Sequence, residues 1–356
     1  MKPILLILTG GTICSFGDSE NANRDVNMAK AKRLIIENFE KSSSNYKDTE
    51  FEVKNILDTL SENMTTAKWN ILMEYFKTVD FDSYQGVIMT HGTDTLAYTS
   101  CFMSLIMSEI NIPVCIVSSQ LPLDNKEANG NRNFSMAVDL IRQGIPAGVY
   151  VPYENMNGEM YIHKGSHLMQ CENYLNDFYS YDAALVKEAG VTKYIKNIEN
   201  SSRITNNQNH NTDLKNISEI LSYVLYIKPY VGLDYSMYKI DNSIKAVVHG
   251  LYHSCTACVE RQTKEQEYTS ASILYLIDKC RNQNIPVIVE PCQEDVNMYV
   301  SGNDMTEAGA IPVYGMTSEM VYVKTLIGCA MNLNRDNLVD FLRTDICGEI
   351  LWKQTY

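Results

Sequence analysis

Two threonine-bearing turns, one around residue 12 and one around residue 93, each follow a short apolar run. The first run, Ile4-Leu5-Leu6-Ile7-Leu8, breaks into Thr9-Gly10-Gly11-Thr12-Ile13. The second, Gly86-Val87-Ile88-Met89, breaks into Thr90-His91-Gly92-Thr93-Asp94-Thr95. A threonine hydroxyl is a weak nucleophile at neutral pH and attacks a carbonyl only with help from a base or a hydrogen-bond relay. Two such hydroxyls at two strand ends can be brought to bear on one small substrate. Taken singly, each has a plainer explanation. A lone Gly-Gly-Thr commonly caps a turn, and Asp94, ahead of Leu96, Tyr98, Phe102 and Leu105, suits the N-cap of a helix. As a pair they ask for an architecture in which the two loops meet.

The surrounding pattern supplies one. Apolar runs that end in glycine read as buried parallel strands, and the carboxyl ends of such strands are where α/β sheets hold ligands. Strands are expected at 4–8, 51–57, 86–90, 113–118 and 147–152. The helices between them are expected at 28–39, capped by Asn27, at 67–78, capped by Thr65 or Thr66, and at 94–110 and 133–143. In the second helix Trp69, Leu72, Met73 and Phe76 share one face. Strand–helix alternation at this spacing argues for a mostly parallel sheet with right-handed crossovers. Asn157-Gly158 signals a hairpin turn into a strand over 160–163. The stretch from Tyr194 to Glu219, with Asn206-Asn207-Gln208-Asn209-His210-Asn211 inside it, reads as an exposed linker. A second α/β set follows, with strands at 223–228, 244–248 and 286–290 and helices at 270–283, 317–331 and 335–343. The expected fold is therefore α/β. A larger N-terminal domain, a mostly parallel sheet with flanking helices, spans 1–195. An Asn-rich linker spans 196–222, and a smaller C-terminal α/β domain spans 223–356.

Composition narrows the function. The 356 residues carry a net charge of −13, and the mix of 45% hydrophobic and 21% charged residues is ordinary for a globular chain. Without a basic run, binding to nucleic acid through phosphates is disfavoured. No stretch approaches the ~20 apolar residues needed to cross a membrane, and the apolar run after Met1-Lys2-Pro3 is too short for a signal peptide. A cytoplasmic protein is expected. Ten cysteines are scattered, several inside apolar runs, as reduced core residues are. Cys255-Thr256-Ala257-Cys258 has the spacing of a redox or metal pair, but no second pair accompanies it, so no metal is expected.

With both turns in view, Thr9-Gly10-Gly11-Thr12-Ile13 and Thr90-His91-Gly92-Thr93-Asp94-Thr95 resemble the two signature motifs of the bacterial-type L-asparaginases. His-Gly-Thr-Asp-Thr-Leu-Ala-Tyr-Thr at 91–99 and Val117-Ser118-Ser119-Gln120-Leu121-Pro122-Leu123 resemble the cytoplasmic (type I) branch. The resemblance continues weakly through Glu307-Ala308-Gly309-Ala310-Ile311 and Met316-Thr317-Ser318-Glu319 to Lys324. It implies roles for particular residues. Thr12 would attack the side-chain amide carbon. Thr93, Asp94 and Lys164, the lysine of Tyr161-Ile162-His163-Lys164, would form a second catalytic cluster. Gly11, Gly92, Thr93 and the Ser61-Glu62-Asn63-Met64 loop would bind substrate, with Ser61 on the α-carboxylate and Asp94 on the α-ammonium. Glu62 is a candidate specificity element, because its carboxylate would favour the ammonium and repel the carboxylate.

Three departures accompany the resemblance. No tyrosine occurs between Cys14 and Ala31 to support Thr12, which leaves its base unassigned. His249-Gly250-Leu251-Tyr252-His253-Ser254 stands where relatives carry a Gly-Asn element, and His253 either replaces that contact or is a core histidine. Gln293-Glu294 lies near where some relatives place a glutamate used by a neighbouring chain.

The implied activity is hydrolysis of L-asparagine, or a close amide analogue, to L-aspartate and ammonia. No metal or organic cofactor is implied, and self-association as a dimer or tetramer is. One methylene separates glutamine from asparagine and is worth only ~1–3 kcal/mol of discrimination, so glutaminase activity stays open. Two alternatives use the same residues: the ammonia-producing subunit of a tRNA-dependent amidotransferase, and a non-catalytic amino-acid sensor.

Overall fold

The computed structural model describes residues 1–17, 24–26, 28–42, 44–181, 184–185, 214, 217–261, 268–292 and 299–351. The chain divides into two compact units, Met1–Asn211 and Thr212–Tyr356. The expected Asn-rich linker falls mostly outside the described residues, as do Asn27 and Gln293-Glu294. Among the described residues no helix is long and apolar enough to cross a membrane.

The first unit is built on a seven-stranded sheet. Its strands are β1 (Ile4–Gly10), β4 (Phe51–Thr59), β5 (Val87–Thr90), β6 (Pro113–Val117), β7 (Gly148–Glu154), β8 (Met160–Lys164) and β9 (Ala184–Leu185). Their order across the sheet is β4-β1-β5-β6-β7-β8-β9. Pairing is parallel from β4 through β7 and antiparallel from β7 to β8 and β9. Every residue of β1 and β5 is buried, as befits strands covered on both faces. A short antiparallel pair, β2 (Ser15–Gly17) and β3 (Arg24–Val26), occupies part of the stretch after Thr12 that the sequence left without elements.

Helices α1 (Met28–Glu40), α2 (Thr66–Lys77), α3 (Leu96–Ile106) and α4 (Gly130–Arg142) connect these strands. The apolar face expected of α2 is the one it buries: Trp69, Leu72, Met73 and Phe76. The Trp69 ring stacks on Phe102 of α3 with centroids 4.7 Å apart, and its Nε1–H donates to Thr99 Oγ1 at 3.1 Å. α2 and α3 are thereby fixed to each other, and with them the loops that introduce each helix.

The second unit carries a four-stranded, all-parallel sheet. β10 (Val224–Ile227), β11 (Ala246–Gly250), β12 (Val287–Cys292) and β13 (Ile311–Tyr314) follow one another in chain order. They are flanked by α5 (Ile273–Arg281), α6 (Val300–Ala308), α7 (Ser318–Ala330) and α8 (Arg335–Arg343). The sequence reading missed β13 and α6. The larger mostly parallel sheet and the smaller α/β unit together are the fold class expected from the strand–helix alternation.

Candidate active site

In the first sheet the chain runs from β1 outward to β4 on one side and then returns to β5 on the other. That reversal is a topological switch point, and the crevice outside the carboxyl ends of β1 and β5 is where such sheets bind ligands. Both threonine turns leave the sheet at this place.

Glycine makes the junction. Gly11 has φ 79° and ψ −179°, a backbone conformation essentially confined to glycine. A Cβ on Gly11 would lie 2.2 Å from the Gly92 nitrogen, and one on Gly92 would lie 2.4 Å from Ser61 Oγ. Gly11 N–H donates to the Thr59 carbonyl at 2.9 Å, tying the first turn to the end of β4 as well. Loops 9–12, 59–63 and 90–95 therefore converge, Gly11 backbone against Gly92 backbone and the Ser61 side chain against Gly92. Beneath them Thr9 N–H donates to Thr90 Oγ1 (3.1 Å), and the Thr9 hydroxyl donates to the Thr90 carbonyl. Thr12 begins a single helical turn, Thr12–Cys14, and is half-buried, as is Thr93. Cys14, two residues on, is no rival nucleophile, because burial pushes its thiol up to about 11.

Ser61 and Asp94 share two hydrogen bonds. Ser61 Oγ donates to Asp94 Oδ2 at 2.9 Å, and Asp94 N–H donates to Ser61 Oγ at 3.1 Å. Thr95 Oγ1 adds a third link by donating to the Ser61 carbonyl at 2.9 Å. The N-cap explanation of Asp94 fails here: Thr95 occupies that position of α3, without a side-chain cap bond, and the Asp94 carboxylate turns to Ser61. Ser61 is buried, whereas Asp94 and Glu62 are exposed. His91 is fully buried and burial holds its imidazole down to about 4, so it is neutral at pH 7. Its Nδ1–H donates to the Gly92 carbonyl at 2.7 Å.

Lys164 stands apart on another element. It closes β8, three strands along from β5. The segment after it returns along α3. A Cβ on Gly165 would lie 2.9 Å from Ser104 Oγ and 3.1 Å from the Ser100 carbonyl. Farther on, the Gln170 amide donates to the Asp94 carbonyl. Thus Gly11, Ser61, Gly92 and Asp94 form one cluster, Thr12 and Thr93 are each the next residue after a glycine at its centre, and Lys164 relates to it through α3.

Three contributors escaped the sequence reading: Thr59, Lys68 and Gln170. Lys68 Nζ donates to Thr59 Oγ1 at 2.5 Å and to the Asn63 carbonyl at 2.7 Å. Its signal was a cation in the first turn of a helix, where the dipole disfavours it. Thr59 and Gln170 gave none. His253 is exposed and is not a core residue; the core histidine of that run is His249, whose Nε2 lies 2.7 Å from Tyr235 Oη.

Comparison with known proteins agrees with this fold. Two glutamyl-tRNA(Gln) amidotransferase D subunits are each 25% identical to the chain. That of Sulfolobus acidocaldarius aligns over 99% of this chain and 76% of its own length, and that of Methanococcus maripaludis over 98% and 81%. Among solved structures, the thermostable L-asparaginase from Thermococcus kodakarensis superposes with a TM-score of 0.71 at 21% identity, over 99% of this chain and 100% of that one. L-asparaginase I from Vibrio cholerae does so with 0.69 at 19% identity, over 99% of both. Residues 3–216, more than half of the chain and including Thr12, Ser61, Thr93, Asp94 and Lys164, match the model of the asparaginase family's N-terminal region. The chain belongs to the asparaginase family.

Proposed function

We propose that the protein hydrolyses the side-chain amide of a small amino acid and serves as the ammonia-producing subunit of a tRNA-dependent amidotransferase. The observation that carries amide hydrolysis is the junction of Gly11 with Gly92 at the switch point, flanked by the Ser61–Asp94 pair. Each of the two glycines is followed by a threonine. In this reading Asp94 takes the substrate's α-ammonium and Ser61 its α-carboxylate. Thr12 Oγ1 attacks the amide carbon, and backbone N–H groups of the glycine turns hold the oxyanion, donors of a kind that contribute a few kcal/mol to the transition state. The C–N bond breaks as the nitrogen takes a proton and leaves as ammonia. Water then opens the Thr12 ester with help from Thr93 and Lys164, giving the free carboxylate and restoring the hydroxyl.

The amidotransferase assignment rests on the D-subunit relatives, which align over nearly the whole of this chain. A second reading, a free-standing L-asparaginase of the cytoplasmic branch, is favoured by the His-Gly-Thr-Asp-Thr-Leu-Ala-Tyr-Thr run at 91–99. Ammonia release separates them. The purified chain is assayed with L-glutamine and L-asparagine, alone and with a second amidotransferase subunit and glutamyl-tRNA(Gln). A subunit turns over slowly alone and is stimulated by the pair. An asparaginase is fully active on asparagine without them. Thr12→Ala and Thr93→Ala abolish either activity. If no ammonia appears under any condition, both readings fall and an amino-acid sensor replaces them.

A further inference from the structure

Lys68 breaks a local rule. It lies in the first turn of α2, a twelve-residue helix whose N-terminal dipole repels a cation, and no acidic residue accompanies it in that turn. Its ammonium bridges the two ends of the loop that carries Ser61: Thr59 Oγ1 on one side at 2.5 Å and the Asn63 carbonyl on the other at 2.7 Å. Both acceptors are neutral, so these contacts fix the position of the charge without cancelling it. Thr59 is also the residue whose carbonyl receives Gly11 N–H. One side chain therefore braces the Ser61 loop and, through Thr59, the turn that presents Thr12. Local rules that are broken without a compensating packing gain mark functional positions.

We infer that Lys68 is a positioning residue that sets affinity for the substrate's α-carboxylate, by holding the Ser61 loop in place and by fixing a positive charge at the two ends of that loop. This rests on the proposed amide-hydrolase reading for the identity of the ligand, but it concerns binding rather than turnover. The chain as a whole carries −13, so an anionic group approaching the site needs a local source of positive potential.

The experiment is calorimetry of L-aspartate binding to the wild type, Lys68→Met and Lys68→Arg, with far-UV circular dichroism as a check on folding. It is paired with cleavage of L-asparagine and of β-alaninamide, which lacks the α-carboxylate. Lys68→Met weakens aspartate at least about tenfold, the size expected of one partly screened charge contact near a surface, and Lys68→Arg recovers most of the loss. The same variant raises KM for asparagine more than it lowers kcat, and the loss on β-alaninamide, which comes from the brace alone, is smaller than the loss on asparagine. Unchanged aspartate affinity in Lys68→Met overturns the inference, as does absence of aspartate binding to the wild type. Equal losses on asparagine and β-alaninamide overturn the electrostatic role and leave a brace alone. If the wild type releases no ammonia yet binds aspartate in a Lys68-dependent way, the hydrolase reading falls and this one stands.

Discussion

Gly11 and Gly92 meet backbone to backbone at the carboxyl ends of neighbouring strands, so closely that a Cβ on the first would lie 2.2 Å from the nitrogen of the second. The contact explains why both turns need glycine. Gly11 needs it twice, for its positive φ and for this approach, and Gly92 needs it because Ser61 stands against it. Catalysis by two hydroxyls on one amino-acid-sized substrate requires the loops to come this near, and any side chain at either glycine would wedge them apart.

Gly11→Ala should therefore reduce kcat/KM by at least ~100-fold, the cost of moving a reacting group by about an ångström. Gly144→Ala is the control. Its φ of +78° matches that of Gly11, yet nothing lies within 4 Å of the added Cβ. It bears only the left-handed backbone cost of ~1–2 kcal/mol in stability and should keep its activity. Steady-state ammonia release and thermal melts on both variants test this.

The two hydrogen bonds between Ser61 and Asp94 predict that the pair acts as a unit. Ser61→Ala and Asp94→Ala should each weaken L-aspartate binding, and the double variant should lose less than the sum, with a coupling energy of about 1–2 kcal/mol. A titration of the four proteins gives the cycle directly. Additive losses would mean that the two residues grip the ligand independently.

The legible parts of the fold were those where burial is complete. β1 and β5 are buried throughout and apolar up to Thr9 and Thr90, so their apolar runs located them. β13 holds only Ile311-Pro312-Val313-Tyr314, and an internal proline argues against a strand. Residues 300–308 read Val-Ser-Gly-Asn-Asp-Met-Thr-Glu-Ala, with just Gly302 and Met305 buried, too thin a stripe to announce a helix. At the site, Thr12, Ser61, Thr93 and Asp94 are reached only through the pairing of two motifs and the family it resembles, since each turn taken alone reads as a cap. Lys68, Thr59 and Gln170 act through contacts with backbone or with residues on other loops, which no local spacing encodes. Asp94 shows why residue type alone decides little: it suits a cap, yet its carboxylate turns to Ser61 across the loop.

Glu290 in the second unit predicts a pH dependence of stability. It is fully buried on β12, with the Tyr226 hydroxyl donating to Oε1 at 3.1 Å and that of Ser318 donating to Oε2 at 2.6 Å. Burial outweighs these bonds and pushes its carboxyl from 4.5 up to about 7, with Glu319 adding to the rise and Lys228 opposing it. Below pH 4.5 both folded and unfolded chains hold the proton, and Glu290 contributes no pH slope. As pH rises toward 7 the unfolded chain releases the proton while the folded one keeps it. Stability therefore falls through this window and levels off above it, by roughly 3 kcal/mol in all. Glu290→Gln removes that component. The difference between variant and wild type in urea melts should grow from pH 4.5 to 7 and then stay constant, and a difference independent of pH would refute the assignment.

Lys324 and Glu349 form an ion pair of 2.5 Å in which both side chains are fully buried. The ammonium also donates to the carbonyls of Leu342 and Thr344, while the carboxylate accepts N–H bonds from Ile346 (2.9 Å) and Cys347 (2.7 Å). The pair thus fastens the segment after α8 to the middle of α7. Removing one partner strands a charge in the core, so Lys324→Met should cost about 3–5 kcal/mol. Replacing both, Lys324→Met with Glu349→Leu, removes the stranded charge and should recover part of that loss. Recovery stays incomplete because two backbone N–H groups then lose their acceptor, at about 1–3 kcal/mol each where water cannot reach them. Denaturant melts of the three proteins distinguish the cases. A double variant no more stable than Lys324→Met would show that the backbone bonds to Glu349, rather than the charge pairing, hold the segment in place.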